Sequence, residues 1–167
     1  LAIFEGCEYG GSFLKINPDV QILLNIDLDH VDCYPTLDKL KSAFFRSVEL
    51  AKRFAVVNKD DPILSEAIDK YPNKVIGFSR FSPCPYRYEI VRSDERGTEF
   101  SLTLPSGRKE SFRLSVLGEF NVINAVSALV AADCLGYDIS LARDALSDFC
   151  GVGRRLELLG RMHGVSV

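Results

Sequence analysis

Two short runs of residues that are mostly β-branched or otherwise apolar constrain the fold of this chain most, at residues 20–26 and 54–58. Neither run alternates apolar with polar residues, which is typical of a strand that is buried on both faces. Each run is followed by a helical pattern, which begins near Thr36 in one case and at Asp61-Pro62 in the other. These residues suit an N-cap and a first helical turn. The alternation of strand and helix predicts a parallel α/β sheet.

Two more apolar runs are expected to add strands to this sheet. Residues 1–4 form a short run that ends at Glu5, and residues 74–78 form another run after the second helix. Glu5 would then follow the tip of one strand, as the acidic segment around His30 follows the strand at 20–26. Ligands of open parallel sheets collect outside the carboxyl ends of the strands.

The pattern changes in the second half of the chain. Residues 86–91, 98–104 and 110–116 alternate between polar and apolar, with turn residues between them, and predict an antiparallel three-stranded meander within residues 84–117. Helical patterns follow at residues 119–135 and 140–149, and residues 156–167 favour one or two strands. The predicted fold class is therefore α/β, a mostly parallel sheet flanked by helices with a small antiparallel meander.

Composition excludes several classes of protein. Among 167 residues, 47% are apolar and 26% are charged, which suits a folded core. The net charge of −3 argues against a nucleic-acid partner held by overall charge. No apolar run approaches the roughly 20 residues that cross a bilayer, so no membrane association is expected. Since the chain begins with Leu inside an apolar run, we expect it to start within a domain.

Cysteine usage indicates a reducing compartment. The five cysteines are odd in number, and no pair has the C-x-x-C spacing of a zinc site. Scattered thiols of this kind fit the cytoplasm.

Glu5 and His30 are the candidate metal ligands. A carboxylate oxygen and an imidazole nitrogen at neighbouring strand ends could share a divalent cation such as Mg²⁺. An alternative is structural, because an acidic residue after a strand can cap the next helix and a histidine can bond a backbone carbonyl. A Cys–His nucleophile pair between His30 and Cys7 or Cys33 is a further alternative, although nothing nearby in sequence would orient the imidazole.

Asn121, Asn124 and Arg154 are the candidate nucleotide ligands. The two asparagines are three residues apart, which places both amides on one helix face, and an amide can read an adenine edge. Arg154 lies in a glycine-flanked pair of arginines, and guanidinium groups suit phosphate oxygens. The structural alternatives are a helix cap or a buried hydrogen bond to a loop for the asparagines, and a solvated turn for the arginine. A P-loop with its Gly-Lys dipeptide does not occur in the sequence.

Five segments, taken together, resemble the Mur ligases. They match the family patterns E-A-D-E-x-D-x-S-F-L, N-I-x-x-D-H-x-D-x-Y, V-N-x-D-D-P, G-x-H-N-x-x-N-A and G-x-G-R-R, in that order. The matching segments are residues 4–14, 25–34, 57–62, 118–125 and 151–155. There are also departures, since Cys7 and Gly10 stand where the family has Asp, and Phe120 stands where it has His.

The resemblance implies a role for each candidate residue. Glu5 would hold the Mg²⁺ that bridges ATP phosphates, and His30 would serve a second Mg²⁺. Asn121 and Asn124 would contact the adenine end of ATP, and Arg154 would approach its phosphates. Residues 1–167 would be the later part of a P-loop-type central ATP-binding domain. The phosphate loop, the UDP-sugar domain and the amino-acid domain would be missing parts of the same enzyme, so the fragment alone is expected to be inactive.

The resemblance also implies a reaction. The Ser-Phe-Leu-x-x-x-Pro segment from Ser12 and the Gly-Arg-Arg segment are most similar to the branch that joins L-alanine to UDP-N-acetylmuramate. The expected activity is ATP-dependent amide bond formation through an acyl phosphate, in peptidoglycan precursor synthesis. Two alternatives remain open: a ligase of the same family that recycles murein tripeptide, and a non-catalytic α/β interaction module.

Overall fold

The computed structural model describes residues 1–152, 161–163 and 165–166, which form two compact units. The first unit comprises residues 1–87 and the second begins at Tyr88. No helix in the part of the chain that the structure describes is long and apolar enough to span a membrane.

The first unit is built on three parallel strands. A 3-10 helix at Tyr9–Lys15 precedes β1 (Val20–Leu23), α1 (Leu37–Leu50), β2 (Phe54–Asn58), α2 (Pro62–Lys70) and β3 (Val75–Ser79). Strand β2 lies between β1 and β3, with Leu23 opposite Val57 and Val57 opposite Gly77. The sequence predicted these three strands and both helices correctly, because each strand is short, apolar and bounded by a helix start.

Helix starts agree with the expected capping residues. The Thr36 side chain accepts a hydrogen bond from the Lys39 N–H at the start of α1. Asp61 accepts from the N–H groups of Ile63 and Leu64 at the start of α2, where Pro62 is the first helical residue. These bonds satisfy backbone donors that have no partner within the helix.

The core of the first unit lies between the sheet and its two helices. One buried cluster contains residues from all three strands, from both helices and from the loop after β1: Leu23, Ile26, Tyr34, Leu40, Val48, Ala55, Val57, Leu64 and Val75. Two of these residues, Ile26 and Tyr34, belong to the loop after β1, so the core also fixes that loop.

The second unit contains the predicted meander and helices. Strand β4 (Tyr86–Asp94) begins in the first unit, where its first two residues pair with β3 in parallel. A two-residue turn joins it to β5 (Gly97–Thr103), which pairs antiparallel with β6 (Lys109–Leu114). Helix α3 (Glu119–Cys134), a 3-10 turn (Ile139–Leu141) and α4 (Ala142–Asp148) follow. The strand order is β1-β2-β3-β4-β5-β6, which confirms the predicted fold class.

Two sequence predictions need correction or fall outside the described residues. The predicted strand at residues 1–4 is wrong: these residues have no regular structure, and Leu1 and Ile3 are 97% and 87% exposed. A strand forms only when a neighbour pairs with its backbone groups, and β1 ends the order of paired strands in the described residues. Of residues 156–167, the structure describes only β7 (Arg161–Met162), β8 (Val165–Ser166) and the turn residue His163.

Gly97 and Gly107 provide a matched stability test of the β5–β6 hairpin. Both have positive φ, but a Cβ on Gly97 would lie 2.1 Å from the Leu114 carbonyl oxygen, whereas a Cβ on Gly107 would meet nothing within 4 Å. We therefore expect Gly97→Ala to lower the free energy of unfolding by several kcal/mol, and Gly107→Ala by only about 1 kcal/mol. Urea unfolding followed by circular dichroism measures both, and equal losses would contradict the packing argument.

Candidate metal centre

His30 lies in a tight turn of the loop between β1 and α1. Its φ is +52°, an uncommon left-handed conformation for a residue other than glycine. The Asp29 carboxylate accepts a hydrogen bond from the His30 N–H at 2.6 Å. The His30 carbonyl accepts from the N–H groups of Cys33 and Tyr34, both at 2.8 Å. These local bonds fix the direction in which the imidazole leaves the backbone.

Three ligand-bearing side chains meet at this turn. The His30 Nε2 atom lies 3.2 Å from Glu8 Oε1, and its Nδ1 atom lies 4.0 Å from Asp29 Oδ1. One potential ligand atom from each residue lies within 4.8 Å of the others. Two carboxylates and one imidazole are a donor set that fits a divalent cation. The side chains of His30 and Glu8 are each about one third exposed, so an ion can reach them from solvent.

Tyr9 borders the imidazole on a second side. Its ring makes an edge contact with His30, with centroids 5.1 Å apart and planes at 70°. The negative charge of Asp32, followed by that of Cys33, raises the pKa of the Tyr9 phenol. Tyr9 thus lies against one edge of the imidazole as a neutral phenol.

Side chains from the β2–α2 turn hold the loop that leads to His30. The β1–β2 ladder ends at the pair Leu23 and Val57. Beyond it, Asn58 Nδ2 donates to the Leu24 carbonyl at 3.1 Å, and Asp61 Oδ2 accepts from the Ile26 N–H at 3.2 Å. The loop is thus tied to the end of β2 and to the start of α2 over the three residues after regular pairing stops.

The structure brings Glu8, and not Glu5, next to His30. Glu5 lies exposed in the irregular segment before the 3-10 helix and is not among the three residues that converge. Sequence reasoning missed Glu8. The sequence feature that points to Glu8 is the glycine pair that follows it. Gly10 and Gly11 adopt positive φ and let the chain turn. The ligand role of Glu5 stays a prediction.

The two candidate asparagines, Asn121 and Asn124, lie in the second unit. Asn121, in the first turn of α3, donates from Nδ2 to the Leu117 carbonyl at 2.7 Å. This bond is not a helix cap, because no side chain caps the start of α3. Asn124 lies one turn further on and is exposed. Phe120, the residue before Asn121 at the start of α3, is also exposed. Arg154 lies outside the described residues.

All five cysteines are free thiols, as their spacing predicted. Cys33 lies in the His30 loop, with its Sγ atom 3.7 Å from the Asp32 carboxylate. Burial raises the pKa of the Cys84 thiol, so this thiol is a poor nucleophile at neutral pH.

Comparisons with known proteins identify the type of domain. Residues 2–132, more than half of the chain, match the Mur ligase middle domain. Among curated proteins, the chain is 31% identical to the UDP-N-acetylmuramate–L-alanine ligase of Thermobifida fusca, with 100% of this chain and 36% of that protein covered. It is 33% identical to the enzyme of the same name from Dictyoglomus turgidum, with 95% of this chain and 34% of that protein covered.

A solved structure agrees with these relatives. The UDP-N-acetylmuramate-alanine ligase from Thermotoga maritima superposes with a TM-score of 0.76 at 25% identity, over 92% of this chain and 34% of that one. The chain thus spans about a third of the length of the relatives that it matches.

Removal of the Asp61 carboxylate tests how the His30 loop is held. We expect Asp61→Ala to increase the rate of hydrogen exchange at the Ile26 amide roughly tenfold, because a buried donor loses its acceptor. Thr36→Ala is the matched control, since it removes the cap of α1 without touching Ile26. NMR measures the exchange rate of this amide. Equal rates in the two variants would show that Asp61 does not hold the loop.

Proposed function

Because this chain belongs to the Mur ligase family, we propose that it is part of an enzyme that joins L-alanine to UDP-N-acetylmuramate in an ATP-dependent reaction. The observation that carries the proposal is the convergence of Glu8, Asp29 and His30 in a domain of this family. Residues 1–167 would be the later part of the middle domain, and residues 84–117 its meander. The phosphate loop, the UDP-sugar domain and the amino-acid domain would lie in other parts of the enzyme.

The central difficulty of the reaction is charge. In it, the muramate carboxylate would attack the γ-phosphoryl group of ATP, which breaks the bond to ADP and forms an acyl phosphate. The L-alanine amine would then displace phosphate and lose a proton to form the amide. The carboxylate must therefore approach a polyanion, and positive charge at that point stabilises the transition state. Mg²⁺ would supply this charge, with Glu8, Asp29 and His30 as the residues that fit it and Glu5 as a further proposed ligand.

The chain's own residues would bind and orient the nucleotide. We propose that Asn124 contacts the adenine, since its amide is exposed on α3 and offers both a donor and an acceptor. Asn121 would contribute beside it, although its Nδ2 atom already donates to Leu117. Arg154 would contact the phosphates. The five free thiols support a cytoplasmic location for such an enzyme.

Phosphate release by the complete protein tests the function. We expect release that needs ATP, Mg²⁺, UDP-N-acetylmuramate and L-alanine together. Preference for murein tripeptide over L-alanine would instead favour the recycling ligase. Two murein peptide ligases superpose on this chain with TM-scores of 0.68 and 0.67, at 24% and 23% identity. No phosphate release with either acceptor would favour a non-catalytic module.

Substitution of Glu5 tests its proposed metal role in the complete protein. We expect Glu5→Ala to lower kcat for ATP turnover by roughly a hundredfold to a thousandfold, because a stabilising charge contact is lost. Glu99→Ala, which removes an exposed carboxylate on β5, is the control and should leave turnover unchanged. Near-normal turnover of the Glu5 variant at limiting Mg²⁺ would show that Glu5 is not a ligand.

Substitution of Asn124 tests the adenine contact. We expect Asn124→Ala to raise KM for ATP roughly tenfold with little change in kcat, because a hydrogen bond to the bound nucleotide is lost in ground and transition states alike. Asn73→Ala, which removes an exposed amide from a turn of the first unit, provides the comparison. If KM stays at the wild-type value in both variants, Asn124 does not contact ATP.

A further inference from the structure

Tyr34 connects the two segments that carry Glu8 and His30. Its backbone N–H donates to the His30 carbonyl at 2.8 Å. Its hydroxyl donates to the Glu8 carbonyl, also at 2.8 Å, across 26 positions of sequence. One residue thus bonds to the main chain of both partners in the Glu8–His30 pair.

The Tyr34 ring has little freedom to move. It is 8% exposed and belongs to the buried cluster of the first unit, in which Leu23 and Ile26 are also members. A buried hydroxyl that lost its acceptor would be costly, and this cost favours the observed position of Glu8.

The Glu8 carbonyl is held from two directions. Besides the Tyr34 hydroxyl, it accepts a hydrogen bond from the Gly11 N–H at 2.9 Å. The Gly11 bond is local and moves with the segment, so it does not determine where Glu8 lies relative to His30. The Tyr34 bond determines this position, because its donor is anchored in the core. With the main chain fixed there, the Glu8 carboxylate comes within 3.2 Å of the imidazole.

We propose that Tyr34 is a positioning residue, whose hydroxyl holds Glu8 against His30 and thereby sets the affinity of this site for a divalent cation. The position of Glu8 follows from the contacts alone. The effect on cation affinity rests on the proposed function. Residues that orient metal ligands without touching the metal commonly change its affinity tenfold or more.

A metal-free NMR experiment tests the positioning on the 167-residue chain. We expect a nuclear Overhauser contact between the Glu8 side chain and the His30 ring, lost in Tyr34→Phe, which keeps the ring and removes one oxygen. Tyr71→Phe is the matched control, because its hydroxyl donates to Glu49 at 2.9 Å in the same unit. Retention of the contact in Tyr34→Phe, its loss in both variants, or no contact in the wild type would overturn the proposal.

Titration with MnCl₂ tests the effect on affinity. The chain has two histidines, so His163 is an internal reference for paramagnetic broadening of the His30 ring signals. We expect Tyr34→Phe to need roughly ten times more Mn²⁺ than the wild type or Tyr71→Phe for half-broadening. Equal concentrations would overturn the affinity effect. If Mn²⁺ leaves His30 unbroadened in the wild type, the proposed metal role fails, while the Overhauser contact still decides the positioning.

Discussion

The end of the β1–β2 ladder is the constraint on which the candidate metal centre depends. Regular pairing stops at Leu23, and the backbone groups that follow need other partners. Asn58 and Asp61 supply two of them, since they bond Leu24 and Ile26. Because Asp61 also caps α2, one carboxylate joins the helix start to the loop that carries His30. The site is therefore supported by the same residues that organise the sheet.

Left-handed backbone occurs in both segments that form the site. His30 has a φ of +52°, and Gly10 and Gly11 have φ values of +60° and +68°. A residue with a Cβ costs roughly 1–2 kcal/mol in this conformation, whereas glycine adopts it freely. The bonds of the His30 turn to Asp29, Cys33 and Tyr34 offset that cost. Local strain of this kind persists where the surrounding contacts determine the conformation, which is common at functional sites.

Two carboxylates and a phenol surround the His30 imidazole. Both ring nitrogens face carboxylates, and the Tyr9 ring contacts the ring edge. Two carboxylates placed together repel each other unless a cation or a protonated imidazole lies between them. A divalent cation bound at the proposed site would relieve this repulsion.

The sequence by itself determined the elements and their order. The apolar runs, the caps at Thr36 and Asp61 and the turns of the meander act over a few residues, so they can be recognised locally. The sequence also indicated His30, as the residue that follows a buried strand. Only the tertiary structure decided that Glu8 is its neighbour and that residues 1–4 form no strand. Both outcomes depend on partners distant in sequence: the Tyr34 hydroxyl bonds Glu8 across 26 positions, and a strand needs another strand beside it.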